Sequence, residues 1–240
     1  MKIVRNGSFI ILTPEEELKS QFLRIEEAGR TCYRSEGKEI TQDSAGKFIK
    51  MLIKNGHLSV IEHSLMTVRF ADVSRGFTHE MVRHRLCSFS QESTRYVDYA
   101  KGELSPDLEK FQLKFIVPPH KDEYEEVYVE NLGPRSLVDM LEMIESFYRA
   151  LRKAGWIPED ARQVLPNAIN ADIVVSANFR EWRHIFEMRT QRAAHWEIRQ
   201  ITGNLLEKVK QIIPVIFEDF VEAGVDGNGL RYFKKIKSES

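Results

Sequence analysis

The sequence is poor in cysteine. Cys32 and Cys87 stand alone among 240 residues, and neither belongs to a C-x-x-C pair. This excludes a disulfide framework and a thiolate zinc site, and it fits a reducing, cytoplasmic setting. Long apolar runs are missing too. The longest early one, Ser8 to Leu12, is far short of the roughly 20 residues a bilayer span needs, and no small-residue cleavage pattern follows it, so no membrane association is expected. Neither sign of charge is in excess: 35 Lys+Arg against 36 Asp+Glu leave a formal charge of -1. No global field draws such a chain to nucleic acid, and any basic site must be local. The patterns G-x-G-x-x-G and P-loop are absent, and Gly227-Asn228-Gly229 neither follows a strand nor opens a helix, so no Rossmann unit is available for a nicotinamide cofactor. Without repeats, low-complexity tracts or Gly/Ser linkers, residues 1–233 read as one domain and 234–240 as a charged tail.

What is present suits a globule: 42% of residues are hydrophobic and 30% charged. Such a chain can bury roughly 70 to 75% of its unfolded surface and needs no disulfide or metal to stay folded. Thr13-Pro14-Glu15-Glu16 is a capping box opening a helix with Leu18, Phe22 and Ile25 buried, and Gly29 is expected to end it. A second helix is expected from about Ser44 to Lys54, stopping at Gly56. The period changes to two from Leu65 to Val73, which reads as a half-buried strand, and Ser74 caps a short helix carrying Phe77 and Met81. Arg83 to Arg95 has no clean period and reads as a loop. Phe111 to Val117 alternates as a strand up to Pro118-Pro119, and a long helix is expected from near Pro134 to Gly155. A short helix at Pro158 to Leu165, a buried strand at Asp172 to Ala177 and a helix capped by Asn178 follow, then helices from Ala194 to Ile213 and from Pro214 to Ala223. Helices interleaved with few strands make an α+β domain.

Three polar clusters carry candidate chemistry. In Arg83-His84-Arg85-Leu86-Cys87-Ser88-Phe89-Ser90-Gln91-Glu92-Ser93-Thr94-Arg95-Tyr96, residues two apart share a face, so Arg83 and Arg85 can clamp one anion while His84 points elsewhere. The serine hydroxyls suit phosphate oxygens, against the plainer reading of a solvated basic loop. His57, Glu62 and His63, with His79 or His84, do not match H-E-x-x-H, so hydrogen-bonded histidines are favoured over a metal site. In Asn178-Phe179-Arg180-Glu181-Trp182-Arg183-His184-Ile185-Phe186-Glu187-Met188-Arg189, Arg180 and His184 lie one turn apart while Trp182, Ile185 and Phe186 pack inward. An ordinary amphipathic helix explains all of these but Arg189. Cys87 beside Arg85 is a candidate nucleophile, although a small buried side chain is the commoner role.

Arg83-His84-Arg85 with Ser93 and Arg95 resembles the signature of the flavin-dependent thymidylate synthases. Gly56-His57 with Ser59, Glu62 and His63, then Glu80, the Ala161 to Pro166 segment, and Asn178, Arg180, His184 and Arg189 follow in that family's order. Two positions depart from it: Ser59 replaces a frequent threonine but keeps the hydroxyl, and Ala193 replaces a histidine, with His195 two residues on. The resemblance implies an α+β fold with a twisted, mainly antiparallel sheet flanked by helices. It implies a homotetramer with active sites shared between subunits, which makes dTMP from dUMP using 5,10-methylenetetrahydrofolate as carbon donor, FAD as hydride carrier and NADPH as reductant. It implies that Arg189 activates uracil, without a covalent nucleophile. Arg95, Arg162 and Ser93 would hold the dUMP phosphate, and Glu80, Arg83 and Gln91 would complete the nucleotide pocket. Ser59, Arg83, His84, Arg85, Gln91, Asn178, Arg180 and His184 would surround FAD, with His57 toward the folate and no metal. The rival is a single-stranded RNA-binding module using Arg83, Arg85 and Arg95, with Phe89 and Tyr96 as stacking surfaces.

Overall fold

A computed structural model describes residues 1–34, 39–95 and 112–236. Tyr96, Phe111 and the tail residues 237–240, which carry parts of the expectations above, lie outside the described residues. The chain opens with β1 (Lys2–Val4), β2 (Ser8–Ile11), α1 (Glu15–Tyr33), α2 (Gln42–Lys54) and a 3-10 turn at Leu58–Glu62. It continues with β3 (Met66–Ala71), α3 (Arg75–Met81), β4 (Ser88–Gln91), β5 (Lys114–Ile116), β6 (Val127–Val129), β7 (Gly133–Arg135) and α4 (Leu137–Lys153). The last elements are α5 (Pro158–Ala161), a 3-10 turn at Arg162–Val164, β8 (Ile173–Ala177), α6 (Phe179–Arg189), α7 (Trp196–Ile212), α8 (Pro214–Phe217), β9 (Phe220–Val225) and β10 (Arg231–Lys235). The mixed α+β class is as expected. The chain forms two compact units, one of Met1–Ser8, Phe70–His79 and Ser90–Ile173, the other of Phe9–Arg69, Glu80–Phe89 and Val174–Ser240.

In the first unit β1 pairs in parallel with β5, Ile3 opposite Phe115. Phe115, Leu113 and Val117 bury against Leu141 and Tyr148 of α4 and against Ile169. Ser136 caps α4 through a reciprocal bond with Asp139. The long helix thus starts after Pro134, which belongs to β7: the β6–β7 hairpin turns through Asn131 and Gly133, both with positive φ. That hairpin was not legible in the sequence, because Gly133-Pro134 also reads as a helix start.

The second unit holds the larger core, with Leu18, Ile25, Ile49, Leu52, Met66, Val68, Trp182, Phe186, Leu205 and Phe217 fully buried. Each large apolar side chain so removed from water contributes about 1.5–3 kcal/mol. The four-stranded sheet runs in the order β2-β3-β8-β4. Five expectations need correction here. Thr13 does not cap α1: its hydroxyl accepts the Thr67 amide at 2.9 Å, which joins the chain entering α1 to β3. Gly29 does not end α1, which continues to Tyr33; a Cβ there would collide with the Phe48 ring of α2, so this glycine sets helix approach. α2 starts at Gln42, capped by Thr41 in a reciprocal box with Ser44. The segment after Pro214 is a single helical turn followed by β9, whose hairpin with β10 contains a register shift at Tyr232/Phe233. β10 reaches Lys235, two residues into the expected tail.

Candidate active site

α6 is the spine of the site. The Asn178 side chain accepts the Glu181 amide at 2.8 Å, as its cap position requires, and Ser64 Oγ accepts the Phe179 amide at 2.9 Å, tying the helix start to the 58–62 turn. Trp182 donates through Nε1 to the Met66 carbonyl at 2.9 Å, fixing the helix to β3. Trp182 and Phe186 then stack inward, with ring centroids 5.8 Å apart. With that face buried, Arg180 and His184 are exposed one turn apart, as their spacing implied.

Past α3 the chain descends through successive turns: the Arg83 amide donates to the Glu80 carbonyl at 3.3 Å, and the His84 amide to the Met81 carbonyl at 3.2 Å. Arg83 and Arg85 therefore stand in solvent while His84 is buried, so their alternation arises from turns rather than from an extended strand. Ser88–Gln91, expected as loop, is strand β4.

A cavity of about 670 Å³ opens between these elements, lined by Arg83, His84, Arg85, Asn178, Arg180, His184, Leu58, Glu62, Glu187 and Lys235. Its size lies within the range of ligand pockets, roughly 300–1,000 Å³. Arg180 pairs with Glu62 at 2.5 Å, both half exposed, and Lys235 pairs with Glu187 at 3.3 Å. Beneath the surface Arg183 is buried, bonded to both Asp219 oxygens and the Ile216 carbonyl, so this guanidinium is structural. Ser59 and His57 are exposed on or beside the 58–62 turn and do not line the cavity.

The buried part of the site is a chain of four groups. Arg189 donates from Nε to His84 Nε2 at 2.9 Å, from Nη1 to Glu80 Oε2 at 2.6 Å and from Nη2 to the Glu80 carbonyl at 2.9 Å. On the other side of the imidazole, Glu181 Oε1 lies 3.4 Å from His84 Nδ1, with 7% of the Glu181 side chain exposed. Burial, then the charges of Arg189 and His184, pushes the His84 pKa down to about 4, so the ring is neutral at neutral pH. Burial raises the Glu181 carboxyl above its ordinary range, and burial with Glu181 nearby pushes Cys87 up to about 12. Cys87 is therefore a thiol and a poor nucleophile. Glu181 was missed as a site residue, because a glutamate on a helix reads as a solvent group.

Donor atoms of His84, Glu181 and His184 lie within 4.8 Å of one another, a set different from the histidines weighed in the sequence. Arg189 already occupies one nitrogen of His84, and Arg83, Arg85 and Arg180 surround the cavity, so the local field favours an anion over a metal ion.

The remaining expected residues belong to the other compact unit, where they form their own cluster. Arg162 donates to Thr94 Oγ1 and to the Glu159 carbonyl, each at 3.1 Å, and Arg95 pairs with the Glu159 carboxylate at 3.2 Å. Ser93 Oγ accepts the Arg95 amide at 3.3 Å, and Gln91 donates to Thr78 Oγ1 at 2.6 Å. Two guanidiniums with adjacent hydroxyls suit a phosphate. Thr94, buried and holding Arg162, was not singled out in the sequence.

An arginine-lined cavity beside a neutral buried histidine suits an anionic ligand. Comparison with known proteins narrows this class. Residues 16–215 match the family described as thymidylate synthase complementing protein. The flavin-dependent thymidylate synthase of Corynebacterium efficiens is 38% identical over 208 residues, covering 85% of this chain and 81% of that protein. That of Mycobacteroides abscessus is 36% identical over 204 residues, covering 82% and 78%. The crystal structure of thymidylate synthase X from Helicobacter pylori with FAD and dUMP shares the fold, with a TM-score of 0.62 at 21% identity, covering 89% of this chain and 98% of that one. The UMP/dUMP methylase PolB of Streptomyces cacaoi, bound with 5-Br dUMP, has a TM-score of 0.63 at 20% identity, covering 91% and 96%. The chain belongs to the flavin-dependent thymidylate synthases. The RNA-binding alternative gains no support from these matches.

Proposed function

We propose that the protein reductively methylates dUMP to dTMP, with 5,10-methylenetetrahydrofolate as carbon donor, FAD as hydride carrier and NADPH as reductant. The observation that carries this reading is the setting of Arg189. Of the five N–H groups of a guanidinium, three are held by His84 and Glu80, which leaves one on each Nη for a ligand. Carbon 5 of uracil is a poor nucleophile, and the ring must gain negative charge to attack. An always-charged, partly buried guanidinium stabilises that charge without giving up a proton. The reaction then needs no covalent nucleophile, in keeping with the inert thiol of Cys87.

The residues fit FAD: the cavity has the size, Arg83, Arg85 and Arg180 would neutralise a pyrophosphate in place of a glycine-rich loop, and the exposed His184 offers a polar edge. FAD, when bound, supplies the hydride. Asn178, which lines the cavity, would add a hydrogen-bonding group; the family resemblance gives Ser59 and Gln91 the same role and His57 a place toward the folate. Arg95, Arg162 and Ser93 grip the dUMP phosphate, while Glu80 and Arg83 help shape the nucleotide site. Active sites are shared between the subunits of a homotetramer, and residues 1–233, which take in both compact units as the family match does, act as one catalytic domain. The exposed Tyr128 and the exposed Met143 and Phe147, one turn apart on α4, support burial against further copies. Few cysteines, and no helix among the described residues long and apolar enough to cross a membrane, support a cytoplasmic setting.

Purified protein should be yellow and oxidise NADPH faster when dUMP is added. Protein that is flavin-free and cannot be reconstituted with FAD would overturn the reading.

A further inference from the structure

Glu181 stands at the third residue of α6, where a glutamate commonly reaches back to the helix-capping amide. Here its side chain is buried and faces His84 instead. His84 is itself only 3% exposed at the side chain, and its Nδ1 has no hydrogen-bond partner in the described structure. The other ring nitrogen is committed: Nε2 accepts from Arg189 Nε at 2.9 Å, and arginine can only donate. A neutral imidazole that accepts at Nε2 must carry its proton on Nδ1, and the Glu181 carboxylate is 3.4 Å from that proton's nitrogen. In the opposite tautomer, Nε2–H would confront the Arg189 N–H, donor against donor. The guanidinium would then be held by Glu80 alone.

We propose that Glu181 is a positioning residue for the reaction: its buried carboxylate selects the Nδ1–H tautomer of His84, leaving Nε2 as the acceptor that orients Arg189. The consequence for turnover rests on the reading that Arg189 acts on uracil. The tautomer itself does not. Of the described groups around His84, Glu181 places a carboxylate oxygen 3.4 Å from Nδ1, Arg189 is committed to Nε2, the His184 ring lies edge-on with centroids 5.5 Å apart, and burial holds Cys87 as a thiol.

The test uses holoenzyme labelled with 15N-histidine, with His84 assigned through His84→Gln. Imidazole 1H–15N spectra should show a protonated Nδ1 in the native enzyme and in Glu181→Gln, whose carboxamide oxygen still accepts, but a protonated Nε2 in Glu181→Leu. Turnover of dUMP should fall by about 10-fold in Glu181→Leu, the scale of a mispositioned catalytic group, with bound FAD and the KM for dUMP within roughly two-fold of native. Glu181→Gln should stay within roughly three-fold of native on all counts. A native enzyme with Nε2–H overturns the proposal whether or not Glu181→Leu folds, and so does an unchanged tautomer in Glu181→Leu. Full dTMP formation by Arg189→Ala would instead overturn the uracil reading and leave the tautomer result standing.

Discussion

Arg180 and Arg189 lie on one helix and serve opposite ends of it. Arg180, half exposed, makes one ion pair with Glu62 and leans into the cavity. Arg189, with 18% of its side chain exposed, is fastened at three points by His84 and Glu80. A charge in solvent neutralises a flexible anion cheaply but is screened. A charge fixed in a dry setting needs no reorganisation when charge develops beside it. On the proposed reading the helix separates holding a ligand from stabilising a reaction, and substitutions at its two ends should fail differently.

The largest effect is expected at the fixed end. Arg189→Ala should lower dTMP formation by on the order of 100-fold or more, the scale of losing one placed charge-stabilising donor. It should also leave Glu80 and His84 without their shared partner, at about 1–3 kcal/mol of stability measured by denaturant unfolding. Lysine should rescue little, because a point charge cannot replace a planar fork. At the open end, Arg180→Ala should weaken FAD retention by roughly 10-fold, as loss of one charge-assisted contact would, while the turnover of enzyme saturated with FAD stays within a few-fold of native. Equal losses of flavin in the two variants would erase the contrast between the helix ends.

Acid sharpens the comparison. His84 titrates at about 4 in the folded protein against 6.5 in the unfolded chain, so between those values the unfolded state binds the extra proton. The stability due to a neutral His84 is therefore complete above about pH 6.5 and lost as pH falls toward 4. Glu181, raised above its ordinary value, acts in the opposite sense at the acid end of this window. Thermal midpoints of the native protein and of His84→Gln, compared at about pH 7 and pH 5, should show the smaller acid loss in the variant. Equal losses would mean that the histidine is not held neutral.

Much of this site was legible in the sequence, for identifiable reasons. Asn178 is a strong cap, and a clean apolar stripe follows it, so the helix and its exposed Arg180–His184 face could be read from period alone. Arg189 stood out because it lay beyond that stripe. Its partners were harder to read: Glu80 entered only through the family resemblance, and Glu181 did not stand out, because the group it faces is distant in sequence and the burial of a carboxylate is invisible to periodicity. Gly29 and Thr13 misled for a related reason. Both residue types have local roles at helix ends, and both are used here for long-range contacts, with Phe48 and Thr67. Strand β4 escaped notice because its residues, Ser88-Phe89-Ser90-Gln91, alternate between exposed and half-buried rather than polar and apolar.

The smallest effect is expected at Cys87, and it tests the fixed end from its other side. The thiol shares the buried neighbourhood of Glu181, and burial first, then the Glu181 charge, pushes Cys87 up to about 12. At neutral pH almost none of it is thiolate, whatever the nearness of Arg85 suggests from sequence. Cys87→Ala should therefore form dTMP within about two-fold of native, with FAD content unchanged, since the proposed reaction passes no covalent step through sulfur. Iodoacetamide should label the exposed Cys32 in the native protein and leave Cys87 unmodified, as mass spectrometry of the digested protein would report. If Cys87→Ala instead abolished turnover with flavin and fold intact, charge stabilisation by Arg189 would no longer suffice, and the thiol would have to be the attacking group.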